Sequence, residues 1–502
     1  MSDNNLYHLF RSRFPSDPNA PFLEHARGNT SFADLDNQSA RLCQTLKANG
    51  VTKGDRVIVQ VAKSPEAVIL YLACLRAGAI FIPLNTAYTT REVAYFVQDA
   101  NPRVVICDPQ AKAGVTTICD SKTAILTLDA NGDGTLIDQM KSAAPNPEIA
   151  PCRPNDLAAI LYTSGTTGRS KGAMLTHDNL ASNARVLHEY WQWQPDDVLL
   201  HALPIFHVHG LFVALHCALL NGSKVIFHSG FDVDAIIRDL PRSTVLMGVP
   251  TFYTRLLDAP AFNAETCRNM RLFISGSAQL LPETFAEFET LSGHTILERY
   301  GMTEAGMITS NPYDGARIAG TVGYALPGVT ARVADENGHE IPRGEVGILE
   351  ITGPNVFAGY WQMPEKTAEE FRDDGFFITG DMATMEPDGR ISIVGRAKDL
   401  IITGGYNVYP KEVEIEIDNL PGVKESAVIG LPHADLGEAV TAVVVVNETA
   451  GLKQDDISGV LADKLARFKQ PQKILFVSEL PRNTMGKVQK KALREQYQDL
   501  YA

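Results

Sequence analysis

Hydrophobic residues recur along the chain in two rhythms, short β-branched runs and longer apolar stretches. Val57-Ile58-Val59-Gln60-Val61 is followed by an apolar segment that Ser64, Pro65 and Glu66 open and Gly78 closes. Serine before the first turn, proline at the first helical position and glycine past the last predict a helix through Leu75. Ala79-Ile80-Phe81-Ile82-Pro83, a helix over residues 90–99, and Arg103-Val104-Val105-Ile106-Cys107 continue the alternation. Strands alternating with helices predict a largely parallel sheet faced by helices. Residues 129–155, with Gly-Asp-Gly and several prolines, read as an irregular surface connection.

The rhythm then repeats. Val198-Leu199-Leu200-His201, Lys224-Val225-Ile226-Phe227 and Ser243-Thr244-Val245-Leu246-Met247-Gly248 read as strands, residues 211–220 as a buried helix, and Pro250 as the start of another. Over residues 321–394 the pattern becomes short β runs separated by glycine and proline, as in a β-rich subdomain. After Gly395 it changes again, with strands at 427–429 and 442–446 and a helix over 457–466. The expected architecture is α/β: a large N-terminal domain, residues 1–397, of two α/β lobes plus the β-rich subdomain, and a small mobile α+β C-terminal domain, residues 398–502.

Composition narrows the function classes. A chain of 502 residues exceeds one core. The formal net charge of -14 argues against nucleic acid or an anionic membrane as partner, so an anionic substrate would need locally placed Lys and Arg. Seven scattered cysteines without C-x-x-C spacing suggest neither a disulfide framework nor a zinc site. The N-terminus lacks a basic stretch leading into an apolar core, and no stretch is apolar for long enough to span a bilayer, so a cytoplasmic location is expected.

Chemistry concentrates first in residues 161–172. After the apolar Leu161-Tyr162, the hydroxyls of Thr163, Ser164, Thr166 and Thr167, the turns allowed by Gly165 and Gly168, and the charge of Lys171 suit a phosphate cradle. The spacing is not that of the P-loop, whose lysine directly follows its second glycine, so a Walker-type NTPase is disfavoured. Alone, such a loop is more often a flexible polar turn.

Further stretches set that loop in a context. They are Ile274-Ser275-Gly276-Ser277-Ala278, Glu298-Arg299-Tyr300-Gly301-Met302-Thr303-Glu304, Thr379-Gly380-Asp381, Gly395-Arg396-Ala397-Lys398-Asp399, and Pro481-Arg482-Asn483-Thr484-Met485-Gly486-Lys487. In this order they resemble the adenylate-forming acyl-CoA synthetase superfamily over nearly the whole chain. The resemblance implies ATP, Mg2+ and CoA as reactants and cofactor. It further implies that Tyr300 stacks on adenine beside Ser277 and Ala278, that Asp381 and Arg396 hold the ribose, and that Thr303 contacts the α-phosphate. Glu304 would hold Mg2+, Lys487 would be the catalytic lysine, Lys398 the hinge, and Gly404 and Gly405 part of the loop brought to the pantetheine arm of CoA. The residue types suit the chemistry: a carboxylate attacking a phosphate brings anions together, which an oxygen-bound metal and a mobile lysine offset. The carboxylate is already ionised at neutral pH and needs no general base.

The acid is sought in His201-Ala202-Leu203-Pro204-Ile205-Phe206-His207-Val208-His209-Gly210 and in Gly248-Val249-Pro250-Thr251-Phe252-Tyr253-Thr254-Arg255. By resemblance, His207, Val208, Arg255, Ser275, Gly276 and Met307 line the acyl pocket. An arginine at 255, where relatives for fatty or aromatic acids carry apolar or small residues, can hold a second carboxylate. In this the chain looks most like malonyl-CoA synthetases. Val208 stands where a threonine is expected, a change that favours a C2-substituted malonate such as methylmalonate. The alternatives are a ligase for another short acid, an enzyme that loads a carrier protein, or a catalytically silent nucleotide-binding module. A monomer or homodimer is expected.

Overall fold

The computed structural model describes residues 4–163, 170–278, 280–404, 406–447, 451–483 and 486–501, apart from the side chain of Asp463. The helix Pro65–Ala77 begins on a Ser64 N-cap, ends on a left-handed Gly78, and is buried at every position except Glu66. Its all-round apolar surface has a physical reason. Tyr71 meets Phe81 on one side and Phe212 and His216 on another, so the helix belongs to a core shared by both α/β lobes.

One lobe is a six-stranded sheet. Strands Arg56–Gln60, Ile80–Pro83, Val104–Cys107, Ala124–Thr127 and Leu157–Thr163 run parallel, and Lys171–Thr176 closes the edge antiparallel to its predecessor. Alternation along Arg56–Gln60 sends Val57 and Val59 into the shared core and Ile58 to the opposite face, under Val93, Phe96 and Val97 of the helix Thr90–Ala100. The other lobe is a nine-stranded sheet, mainly parallel, whose far edge is the N-terminal hairpin of Pro21–His25 and Gly28–Ser31. The chain therefore starts in the second lobe before building the first.

Two expectations require correction. Residues 129–155 are not wholly irregular, because Thr135–Ser142 is a helix packed through Leu136, Ile137 and Met140. Its N-cap is Gly134, which has no side chain to signal the start. The buried helix expected over 211–220 is a π-helix, His209–Leu215, continued by an α-helix, His216–Asn221. Apolar residues on every side conceal a change of winding.

The β-rich region is a four-stranded antiparallel sheet of Thr330–Ala334, Gly347–Thr352, Phe377–Met385 and Ile391–Arg396. The chain passes from it through one 3-10 turn, Ala397–Asp399, into the strand Ile401–Thr403 of a separate five-stranded sheet. That last sheet carries its own core on each face, Val440, Ala442 and Val444 on one and Val443 and Val445 on the other. Among the described residues, no helix is long and apolar enough to cross a membrane.

Candidate active site

The flanks of the expected phosphate cradle form an antiparallel hairpin with Thr163 opposite Lys171. Ser164, Gly165, Thr166, Thr167 and Gly168 themselves lie outside the described residues. The Thr163 hydroxyl reaches Glu304 Oε1 at 3.4 Å, and Lys171 Nζ pairs with Glu370 at 2.7 Å while lying 4.0 Å from the centre of the Tyr360 ring. Tyr360 contacts both carboxylates, Glu304 at 3.1 Å and Glu370 at 2.6 Å. Burial holds the Glu304 carboxyl above its ordinary value. Neither Tyr360 nor Glu370 was assigned a role from sequence. Their contact with Lys171 spans 199 residues to Glu370, so no local pattern carries it.

A second cluster forms around Asp381. Arg396 Nε lies 2.8 Å from Asp381 Oδ1, and the Tyr300 hydroxyl donates to Oδ2. Arg396 and Asp381 are register partners on adjacent strands, which is why two segments 15 positions apart converge. Burial, reinforced by Asp381, keeps the Tyr300 phenol well above the ordinary range.

The expected acyl wall converges on an unpaired cation. Arg299 is 3 % exposed, with Nε and Nη2 lacking hydrogen-bond partners and no acidic side chain in salt-bridge range among the described residues. Burial pulls its guanidinium down to about 9, which leaves it charged at neutral pH. Gly276 makes room for it: a Cβ there would fall 2.3 Å from Arg299 Nη1. Ser275 is buried, Ser277 adopts φ 70°, and its hydroxyl lies 3.3 Å from His209 Nδ1; Ala278 follows it. Burial, then Arg299 and Lys487, lowers His207 to about 4, and burial with Arg299 lowers His209 well below its ordinary value, so both rings are neutral. Val208 lines a small enclosed cavity with Phe212, Thr303 and Gly306. Met307 is buried beside it, its backbone held on both sides by Asn183. Gly306 is left-handed at φ 57°, and a Cβ there would meet Asn183 Oδ1 at 2.6 Å.

Arg255, by contrast, is exposed on the helix Pro250–Leu257 and forms no ion pair among the described residues. Its charge faces Arg482 of the C-terminal loop, and Gly486 of that loop approaches Thr251 in the first turn of the same helix. Of the two arginines near the pocket, the deeply buried one is Arg299, which sequence reading passed over in favour of its neighbours.

Lys487 sits in a turn tied by Asn483, whose side chain accepts from the Lys487 N–H at 2.9 Å and whose N–H donates to the Lys487 carbonyl at 2.9 Å. Although the residue retains contact with solvent, loss of hydration around the amine and the nearby Arg396 charge pull it below the ordinary lysine value. Lys398 lies in the 3-10 turn between the two sheets, next to Asp399, which pairs with Arg494 at 2.7 Å. Gly404 is left-handed at φ 54°; Gly405 lies outside the described residues.

With Tyr300, Thr303, Glu304, Asp381, Arg396 and Lys487 assembled in one region, family comparison is decisive. The model for AMP-binding enzymes matches residues 10–361, and that for the AMP-binding enzyme C-terminal domain matches residues 412–487. The chain belongs to the AMP-binding enzyme family. It is 36% identical over 485 residues to malonate–CoA ligase of Arabidopsis thaliana, covering 89% of this chain and 78% of that one. It is 34% identical over 484 residues to feruloyl-CoA synthase of an Amycolatopsis species, covering 96% of each. Among solved structures, ATP-bound MatB from Rhodopseudomonas palustris is 54% identical over the full length of both chains, with a TM-score of 0.98. The apo form of that protein gives a TM-score of 0.86 at the same identity.

Proposed function

We propose that the protein is an AMP-forming ligase that converts malonate, ATP and CoA into malonyl-CoA, AMP and pyrophosphate through a malonyl-adenylate. The observation that carries the choice of acid is Arg299. A buried guanidinium without a counter-charge is costly, and a substrate that brings a second carboxylate offsets that cost. A monocarboxylic acid, aliphatic or phenolic, would leave it unpaired. The likeness to malonate–CoA ligase supports this reading.

In the first step the reacting carboxylate attacks the α-phosphorus of ATP and pyrophosphate leaves. Arg299, with Arg255 as the outer cation, holds the other carboxylate, so that the attacking oxygen is oriented before reaction. Thr303 donates to the α-phosphate and Lys487 bridges it to the acid. Thr163 and Lys171, with residues 164–168, hold the β- and γ-phosphates, Tyr300 with Ser277 and Ala278 lines the adenine, and Asp381 with Arg396 takes the ribose hydroxyls. Glu304 fits a hard cation held mainly through substrate phosphates, since it is a buried oxygen ligand within reach of the Thr163 hydroxyl. When bound, Mg2+ would offset the charge of the departing pyrophosphate.

In the second step the thiolate of CoA attacks the acyl carbon and AMP leaves. Lys398 is the hinge of this exchange, with the domain boundary in its turn, and Gly404 and Gly405 approach the pantetheine arm. Val208 and Met307 face C2 of the acid, which makes methylmalonate the second acid to consider.

The test is AMP release with acetate, malonate, methylmalonate, succinate and benzoate, with and without CoA. Malonate or methylmalonate should give the fastest release, dependent on CoA. Faster turnover of acetate or benzoate than of every dicarboxylate would overturn the proposal.

A further inference from the structure

Lys171 is not waiting free for a phosphate. Its ammonium lies over the Tyr360 ring and 2.7 Å from Glu370, in a pair whose side chains are 10% and 21% exposed. The geometry is imposed by backbone. Residues 358–361 run antiparallel to the strand Lys171–Thr176, with the Trp361 N–H donating to the Gly172 carbonyl at 2.8 Å and the Ala358 N–H to the Met174 carbonyl at 2.9 Å. Tyr360 is thereby set beside Lys171, and its hydroxyl fixes the far oxygen of Glu370. Although burial works against its charge, hydrogen bonds from Lys171 and Tyr360 hold the Glu370 carboxyl below its ordinary value.

Glu370 also has a second cation. Lys366, one turn earlier, places Nζ 3.3 Å from the same Oε1 that Lys171 contacts. That duplication matters because removing one partner from a buried pair leaves an uncompensated charge. With Lys366 in place, Lys171 can leave Glu370 without stranding the carboxylate.

We propose that Glu370 is a positioning residue for ATP use: it holds Lys171 in the nucleotide-free protein, yields it to the β- and γ-phosphates, and recovers it as pyrophosphate departs. Lys366 sets the strength of that hold by competing for the same oxygen. The inference rests on the reading of Lys171 as a phosphate ligand. Glu370 and the polyphosphate are rival anions for one ammonium, so weakening the first strengthens the second.

The experiment measures the ATP KM, the malonate KM, kcat and inhibition by pyrophosphate. Glu370→Gln keeps the shape and the Tyr360 contact but removes the charge; the ATP KM should fall and pyrophosphate should inhibit more tightly, each by about three- to fivefold, the scale of one ion pair. Lys366→Met should raise the ATP KM by a similar factor, and should do nothing in the Glu370→Gln background. The malonate KM should not follow either change. An unchanged or raised ATP KM in Glu370→Gln, or an equal effect of Lys366→Met in both backgrounds, would overturn the proposal. Lys171→Met separates the two ideas. If it leaves ATP and pyrophosphate parameters unaltered, the phosphate reading of Lys171 is wrong; if it weakens both while Glu370→Gln is neutral, only the role of Glu370 fails.

Discussion

Asp381 and Arg396 face each other across neighbouring antiparallel strands, and their ion pair uses one carboxylate oxygen while the Tyr300 hydroxyl takes the other. Each oxygen keeps a second lone pair, so two vicinal ribose hydroxyls can still be accepted. Asp381→Asn should raise the ATP KM in ATP–pyrophosphate exchange by about 10- to 100-fold, the scale of hydrogen bonds to a charged group. Inhibition by inorganic tripolyphosphate, which lacks a ribose, should not change. Equal losses for both would assign Asp381 a purely structural role.

Gly276 and Arg299 make a second prediction. A methyl group at 276 would collide with the end of a flexible side chain rather than with backbone, so Gly276→Ala should fold and displace the guanidinium. Malonate kcat/KM should fall about 10- to 100-fold, as expected for losing a charged hydrogen bond. Arg299→Ala should do the same, and the double variant should lose little more. Arg255→Ala should also weaken malonate more than any monocarboxylate.

Lys487→Ala should lower ATP–pyrophosphate exchange by about 100-fold or more, in keeping with removal of a group that stabilises transition-state charge. Malonyl-adenylate supplied ready-made should still react with CoA. The amine is charged below its folded pKa and neutral above it. Because loss of hydration, with Arg396, lowers that pKa from 10.5, adenylation should decline on the alkaline side before an ordinary lysine would titrate. Stopped-flow pyrophosphate release across pH 7 to 10 reads the limb.

Glu298 predicts a stability profile. Burial raises its carboxyl from 4.5 to about 8, against one backbone hydrogen bond from Gly320 at 3.0 Å. Between those two values the folded protein binds a proton that the unfolded chain has lost, so stability falls as pH rises through the window and levels off above about 8. The full effect is on the order of a few kcal/mol. Glu298→Gln keeps an acceptor for Gly320 and removes the titration. Its melting temperature should gain on the unsubstituted protein steadily from pH 5 to about pH 8 and hold that lead above it; a constant difference across the whole range would contradict the assignment.

Local signals announced local structure. Ser64, Pro65 and Gly78 marked both ends of a helix because caps lie next to the residues they serve. The motifs that hold Tyr300, Asp381 and Arg396 are legible for a related reason, since each is a short characteristic stretch. Arg299 was overlooked because its neighbours carry the motif and its burial depends on packing against Gly276, 23 positions away. Tyr360 and Glu370 lay beyond reach altogether: their meaning arises from an antiparallel contact between the strand Lys171–Thr176 and a segment nearly 200 residues later. The winding of His209–Leu215 was hidden because uniform apolarity reports burial but not pitch.

That π-helix gives the proposed acyl pocket a tolerance of length. Its wider turns hold more residues than an α-helix of the same rise, and they directly follow His207 and Val208. Deleting a single residue between 211 and 215 would let the segment take up ordinary α-helical winding with its two ends still roughly in phase, whereas the same deletion inside an α-helix would turn one end by about 100° relative to the other. His207 and Val208 would keep their direction, and ATP recognition, built on other strands, would persist. A change of length, which elsewhere in a buried helix would scramble every contact, can here be absorbed by the winding itself.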